Sequence, residues 1–203
     1  MPALMWSDYV CPWAYLGRDR TALMRDLGVE VTVLPYELHP EIPTGGVPVR
    51  PGSRLARVFE RIGAECDELG IPFTAPTRSP NTRYALETSE VVRLHHPDAF
   101  APFDASLAAA HWVHDLDLED RDLVRDLLDQ AGAPADEVAE LVADGAGTAA
   151  LAASMATARE CGVTATPAWW INDALLIPGA QPRDTMTRWV TKLLARAGPE
   201  PFA

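Results

Sequence analysis

The chain has 203 residues, of which 48% are hydrophobic and 23% are charged, which is typical of one globular domain with or without an insertion and excludes a disordered or fibrous chain. Its formal net charge of −12 at pH 7 disfavours nucleic acid and anionic membrane surfaces, because either partner would require a concentrated basic face. We therefore expect its partners to be small molecules or proteins.

The chain opens with a predicted strand, helix and second strand. Residues 4–6 form a short apolar run and residues 29–36 a longer one rich in β-branched side chains, and both patterns are typical of buried strands. Between them apolar residues recur near helical spacing as far as Gly28, a residue typical of the position after a helix end. A connection of this length favours a right-handed parallel unit.

A break in the pattern follows, because residues 40–52 are crowded with proline and glycine, which do not fit inside a helix or a central strand. Beyond the break, apolar spacing predicts mostly helices for about a hundred residues. The clearest is 55–69, which has one apolar face and stops at Gly70. Further predicted helices stop before Gly132, Gly145 and Gly162.

The last part of the chain returns to strands. Residues 168–171 and 175–177 are apolar and are separated by 172–174, Asn-Asp-Ala, so they predict a tight hairpin. A closing helix is predicted over 186–194, with Gly198 beyond its end.

The start of the first helix carries the residues most suited to chemistry. Residues 7–13 read SDYVCPW, with Pro12 just inside the helix and Cys11 at its N-terminus. Exposed amides and the helix dipole favour a negative sulfur there, so we predict a thiol with a lowered pKa. Asp8 could cap this helix, the interpretation we favour, or accept a proton near Cys11.

A proline directly precedes the first strand of the predicted hairpin. Pro167 in this position indicates a fixed peptide bond after Thr166, compatible with the cis form. With a cis bond, the backbone of Thr166 would face outward and could pair with an extended peptide or a thiol cofactor.

The other two cysteines and the histidines favour structural roles. Cys66 lies on the apolar stripe of its helix and is predicted to be buried, whereas Cys161 either packs, which we favour, or approaches Cys11. None of the five histidines has a partner at a recognised ligand spacing, so we predict no metal. For His111 and His114 we expect a polar face or the lining of a cleft.

The chain carries no marker of export. Its first residues lack the basic start and long apolar run of a secretory signal, and an odd number of cysteines does not make a disulfide framework. We therefore expect a cytoplasmic protein that keeps its thiols reduced.

Four segments resemble a known family: 7–13 (SDYVCPW), 37–43 (ELHPEIP), 79–86 (SPNTRYAL) and 162–167 (GVTATP), the last with 178–182 (PGAQP). The chain resembles the DsbA-like thioredoxin superfamily, and within it the bacterial FrnE-type proteins related to 2-hydroxychromene-2-carboxylate isomerases and kappa-class glutathione transferases. This resemblance implies an α/β thioredoxin fold interrupted by an all-helical insertion domain. We place the first part of the fold at 1–48, the insertion at 49–147 and the second part at 148–203.

The resemblance also implies a site. Cys11 is the expected catalytic thiol, Asn81 is also a candidate helix cap, and a substrate or thiol cofactor is expected near the following residues: Tyr9, Pro12, Trp13, His39, Asn81, Thr166, Pro167 and Gln181.

One position departs from the family pattern. Members that form an internal disulfide have a second cysteine three positions after the first, where this chain has Ala14. This departure leaves a monothiol mechanism, in which a mixed disulfide at Cys11 is released by an external thiol such as glutathione or mycothiol. No cofactor is expected to be bound permanently.

Two other functions stay open at this point. A thiol-dependent isomerase or transferase of small molecules is one alternative, although relatives that use glutathione commonly have serine at this position, so the cysteine retained here favours redox exchange. A non-catalytic binding protein of the same fold is the other. The sequence also leaves open whether the chain forms a homodimer.

Overall fold

A computed structural model describes residues 1–197 of the chain; Gly198, predicted to follow the last helix, and the rest of 198–203 lie outside the described residues. No single helix within 1–197 is long and apolar enough to cross a membrane. The helices Ala135–Ala143 and Ala146–Glu160 reach the required length and hydropathy only when taken together, and they are bent by 70° relative to each other. In chain order the elements are β1 (Pro2–Ser7), α1 (Pro12–Asp26), β2 (Glu30–Pro35), β3 (Val47–Pro48), α2 (Arg54–Leu69), β4 (Arg78–Ser79), α3 (Arg83–His95), α4 (Pro97–Trp112), α5 (Arg121–Gln130), α6 (Ala135–Ala143), α7 (Ala146–Glu160), β5 (Ala168–Ile171), β6 (Leu175–Pro178) and α8 (Arg183–Ala197).

The central sheet has four strands in the order β2-β1-β5-β6. β1 and β2 are parallel, with Leu4 opposite Thr32, as the strand–helix–strand pattern predicted. β5 runs antiparallel to β1 and pairs with β6 in the predicted hairpin. At its turn Asn172 and Asp173 adopt φ values of 51° and 53°, a backbone conformation that Asn and Asp tolerate better than most residues.

Helices cover both faces of this sheet because neighbouring residues of each strand point to opposite sides. On one face Met5 and Trp169 pack with Met24 of α1 and Met186 of α8. On the other face Trp6 packs with Ala158 of α7. Fully burying each large side chain contributes about 1.5–3 kcal/mol, so the two buried tryptophans hold the layers together.

The insertion has a hydrophobic core of its own, to which α3, α4, α5, α6 and the start of α7 contribute. The predicted fold class, a thioredoxin fold interrupted by a helical insertion, is confirmed. The insertion is not entirely helical, however, because β4 lies within it and pairs with β3, which directly precedes its predicted start, in a ribbon of two residues per strand. The predicted boundary after residue 48 falls at the end of β3, and the one after residue 147 falls within the first turn of α7.

Candidate thiol site

Cys11 is the residue immediately before α1, with φ −86° and ψ 112°, and Pro12 occupies the first turn of the helix. Its carbonyl accepts hydrogen bonds from the amides of Ala14 and Tyr15. Its Sγ donates to the carbonyl oxygen of Thr166 at 3.3 Å, and the bond between Thr166 and Pro167 is cis. The two segments singled out in the sequence, 155 residues apart, therefore meet at one sulfur.

Close packing of α1 on the proline loop depends on Gly17. A Cβ at this position would lie 3.0 Å from the Cβ of Pro167 and 3.3 Å from the Cε of Met5. Contacts this short require the neighbouring atoms to shift, so a glycine lets the helix approach the loop.

The prediction that Cys11 is an acidic thiol is wrong for this structure. The side chain is only 3% exposed, and burial is the largest influence, raising the pKa of Cys11 above its ordinary value. The side chain of Thr166 and the amides of Ala14 and Trp13 act in the opposite direction, the amides as expected at a helix start, while the charge of Asp8 adds to the increase. Loss of water around the sulfur outweighs the helix terminus.

Asp8 does not cap α1, contrary to the interpretation favoured above. Its buried carboxylate accepts hydrogen bonds from the amide of Leu38 (2.7 Å), the hydroxyl of Thr82 (2.7 Å) and the amide of Val10 (3.2 Å). Burial raises the pKa of Asp8 to about 6, against the opposing effect of these three donors. Asp8 thus joins the Cys11 loop to the chain after β2 and to the start of α3, and near neutral pH it places a negative charge close to the thiol.

These two pKa shifts predict how the reactivity of Cys11 depends on pH. We expect its alkylation by iodoacetamide to accelerate about tenfold per pH unit between pH 7 and 8.5, because only the thiolate reacts and the raised pKa keeps its fraction small throughout. Asp8 is ionised across this range, so Asp8→Asn is expected to increase the rate severalfold.

The matched control is Asp26→Asn, which removes an exposed carboxylate at the other end of α1 and should leave the rate unchanged. Peptide mapping by mass spectrometry separates Cys11 from the other two cysteines. A rate that levels off below pH 8 would show that burial does not control this thiol.

Two of the candidate binding residues, Trp13 and Tyr9, lie in different surroundings. Trp13 is partly buried in the first turn of α1, where the Arg61 guanidinium lies 5.4 Å from the centre of its ring. Tyr9, in contrast, points into the insertion core, where its hydroxyl donates to Asp104 at 2.9 Å and lies 2.8 Å from the Ser89 Oγ. The structure therefore does not place Tyr9 in an open cleft.

His39 and Asn81 lie on the chain segments that border the Cys11 loop. His39 is about half exposed and its Nδ1 lies 2.8 Å from a carboxylate oxygen of Glu41. Asn81 donates to the carbonyl of Ile42 at 2.6 Å, and its own side-chain oxygen accepts from the amide of Arg83 at 3.0 Å. Asn81 therefore supports the start of α3, as suggested. The residue directly before the helix is Thr82, so Asn81 lies one position further from it.

Gln181 lies on the turn between β6 and α8. Its side-chain amide donates to the carbonyl of Pro178 at 2.6 Å, and its backbone carbonyl accepts from the Nε of Arg20 at 3.0 Å. Three residues near the site were not predicted from the sequence: Arg20, Arg61 and Thr82, the last of which donates a hydrogen bond to Asp8. Only Thr82 carried a signal, since a threonine before a predicted helix is a common capping residue.

A scan against family models matches residues 4–190 to the DSBA-like thioredoxin domain. The chain belongs to this family. Among solved structures, a protein from Streptomyces coelicolor described as a probable DsbA oxidoreductase superposes with a TM-score of 0.83 at 23% identity, covering 100% of this chain and 93% of that one. The scan and the superposition confirm the resemblance expected from the sequence.

Two further solved structures share the fold of this DSBA-like chain. A 2-hydroxychromene-2-carboxylate isomerase has a TM-score of 0.75 at 19% identity, with 97% of each chain covered. The cytosolic disulfide reductase DsbM from Pseudomonas aeruginosa, solved with GSH, has a TM-score of 0.68 at 16% identity, with 96% of this chain and 100% of that one covered. A search of curated proteins found no match.

In this DSBA-like chain the position three residues after Cys11 holds Ala14, which is buried. Cys66 is also buried, as predicted, beside Leu16 and Ile62, and burial raises its pKa to about 11. Cys161 packs against the cluster around Trp6, the interpretation favoured above, and the structure records all three thiols as free.

His114 is exposed, and His111 lines a small pocket together with Asp115 and Asp117, in keeping with the expected polar face or cleft lining. His111 is 2% exposed, and burial lowers its pKa to about 4, which keeps the ring neutral. Among residues 1–197 no three His, Cys, Asp or Glu side chains are placed to hold a metal ion.

Proposed function

We propose that this DSBA-like protein is a thiol–disulfide oxidoreductase that acts through a monothiol mechanism at Cys11. The observation that carries the proposal is the contact of the Cys11 Sγ with the carbonyl of Thr166 at the start of α1, beside Pro167. This contact places a nucleophilic atom and a backbone acceptor together at the junction of two loops. Because the pKa of Cys11 is raised, the exchange proceeds through the small thiolate fraction present near neutral pH.

The reaction has two steps. The thiolate of Cys11 attacks one sulfur of a substrate disulfide, which forms a mixed disulfide and releases the other sulfur as a thiolate. An external thiol then attacks the sulfur bound to Cys11, so that a new disulfide leaves and Cys11 is regenerated. Ala14, together with the burial of Cys66, favours an external thiol over an internal one.

The external thiol of this proposal is a small one, glutathione or mycothiol, in the cytoplasm of a bacterium. The fold shared with a cytosolic disulfide reductase that was solved with GSH supports this choice. The aromatic face of Trp13 and the turn that carries Gln181 would contact the non-reacting part of the thiol. No cofactor is held between turnovers.

The test is to mix the protein with oxidised glutathione at pH 8 and to measure its intact mass. We expect one glutathione adduct, mapped by peptide mass spectrometry to Cys11, and its removal by added glutathione. The variants Cys66→Ser and Cys161→Ser serve as matched controls and should form the same adduct. An adduct found only on Cys161, the most accessible of the three thiols, would contradict the proposal.

A second candidate is a thiol-dependent isomerase or transferase, in which a bound cofactor thiol attacks the substrate and Cys11 only helps to position it. The raised pKa of Cys11 favours this candidate, because a protonated thiol is a weak nucleophile at neutral pH. The fold shared with the 2-hydroxychromene-2-carboxylate isomerase supports it as well.

A further inference from the structure

A small cavity opens between α1 and the sheet, separate from the candidate thiol site. It has a volume of about 70 Å³, and neither Cys11, Thr166 nor Pro167 lines it, although Met5, which packs against Gly17, does. Two strands and two helices contribute side chains, which are Met5 and Ser7 of β1, Val33 of β2, Arg18, Thr21 and Arg25 of α1, and Asp104 of α4. The three residues of α1 are three and four positions apart, so they share one face of this helix.

The charges around this cavity, which we call the Arg18–Arg25 cavity, leave one cation without a carboxylate. Arg18 forms a salt bridge with Asp104 at 2.7 Å, and Asp104 also accepts the hydroxyl proton of Tyr9. Arg25 forms no salt bridge with any carboxylate of residues 1–197. The cavity therefore carries a net charge of about +1 in a chain whose overall charge is −12.

The donors around the cavity are held in place by the surrounding fold. Arg25 donates through Nη2 to the carbonyl of Val31 at 2.9 Å, which fixes its guanidinium at the edge of β2. Thr21 accepts the indole proton of Trp169 at 3.1 Å, so its own hydroxyl proton is available for another acceptor. Guanidinium groups have five donors each in a planar fork, and this geometry matches the oxygens of phosphate and sulfate.

We propose that the Arg18–Arg25 cavity binds a small tetrahedral oxyanion, either a free phosphate or sulfate ion or the phosphate group of a small ester. The lining includes two arginines and two hydroxyl residues from α1 and β1, and these four donors suit the four oxygens of a tetrahedral anion, while the one carboxylate of the lining, Asp104, is neutralised by Arg18. The volume is that of roughly two water molecules at about 30 Å³ each, so one such group fits and a whole nucleotide does not.

The experiment titrates the full-length protein with inorganic phosphate at constant ionic strength, adjusted with sodium chloride, and follows the melting temperature together with the amide NMR signals of Ser7 and Thr21. Phosphate is expected to raise the melting temperature in a saturable way, since a ligand of the folded state stabilises it by mass action. Acetate, a planar carboxylate, should bind more weakly. A parallel titration with glycerol 3-phosphate distinguishes a phosphate ester from the free ion.

The decisive variant is Arg25→Gln, which keeps a side-chain donor near Val31 but removes the charge. Loss of one charge-assisted contact is expected to weaken phosphate binding about tenfold or more. Arg188→Gln on α8, which also replaces an exposed arginine, is the matched control and should bind as the parent does. The proposal is overturned if phosphate has no effect beyond that of chloride, or if both variants bind equally.

Discussion

Replacing Cys11 by serine is expected to lower the rate of disulfide exchange by roughly 100-fold or more while leaving the fold intact. The loss follows because a serine hydroxyl does not ionise near neutral pH and forms no disulfide. The fold should persist because serine is a favourable residue at a helix start and can still donate to the carbonyl of Thr166. The measurement is glutathione-dependent reduction of a small mixed-disulfide substrate, with Cys66→Ser as control and circular dichroism as the test of folding.

The same variant separates the two candidate functions. If a bound cofactor thiol is the nucleophile, Cys11→Ser should keep most of its activity toward an isomerase or transferase substrate, because serine preserves the hydrogen bond to Thr166. Unchanged disulfide exchange in the serine variant would remove Cys11 from the reaction altogether and would leave the DSBA-like fold without the proposed chemistry.

Much of the fold could be predicted because the residues that end its helices and form its turns act through their own local backbone conformation. The glycines expected after the helices, Gly28, Gly70, Gly132, Gly145 and Gly162, all have positive φ values, which only glycine adopts without strain. The hairpin of β5 and β6 and the parallel unit of β1 and β2 followed equally from short apolar runs separated by turn residues.

The parts that were missed lack a local signal. The start of α3 was anticipated at Asn81 only through the family resemblance, because the continuous buried run from Ala85 to Val92 forms no stripe that helical periodicity could reveal. The ribbon of β3 and β4 is too short for any strand pattern. His111 is buried through the packing of α4 against other elements, which its neighbours in the sequence do not indicate.

The candidate site shows the same division between local and tertiary information. Cys11 at a helix start and Pro167 before a strand could both be read from the sequence, because each depends on adjacent residues. The pKa of the thiol could not, because burial of the sulfur, the largest cause of its increase, arises from segments distant in the chain. Asp8 is likewise held by Leu38 and Thr82, which lie 30 and 74 residues away.

The buried arginine of α1 gives the prediction with the largest expected effect on stability. Arg20 is 2% exposed, and it bonds at once to Glu65 of α2, to Asp19 and to the carbonyl of Gln181. It thereby fixes the turn after β6 against α1 and α2, on the side of α1 where Trp13 and Arg61 also lie.

Arg20→Met is expected to lower the free energy of unfolding by about 3 kcal/mol, because removal of one member of a buried ion pair leaves its partner without compensation. The value falls at the lower end of the usual range, since Glu65 is one-third exposed and can recover water, and Asp19 keeps its salt bridge to Arg183. Urea unfolding measures the loss, with Arg188→Met on the surface of α8 as a control that should change stability by less than about 0.5 kcal/mol. Adding Glu65→Leu to Arg20→Met should restore part of the stability, because neither charge is then left unpaired; a double variant less stable than the single one would show that Arg20 acts through its packing and not through its charge.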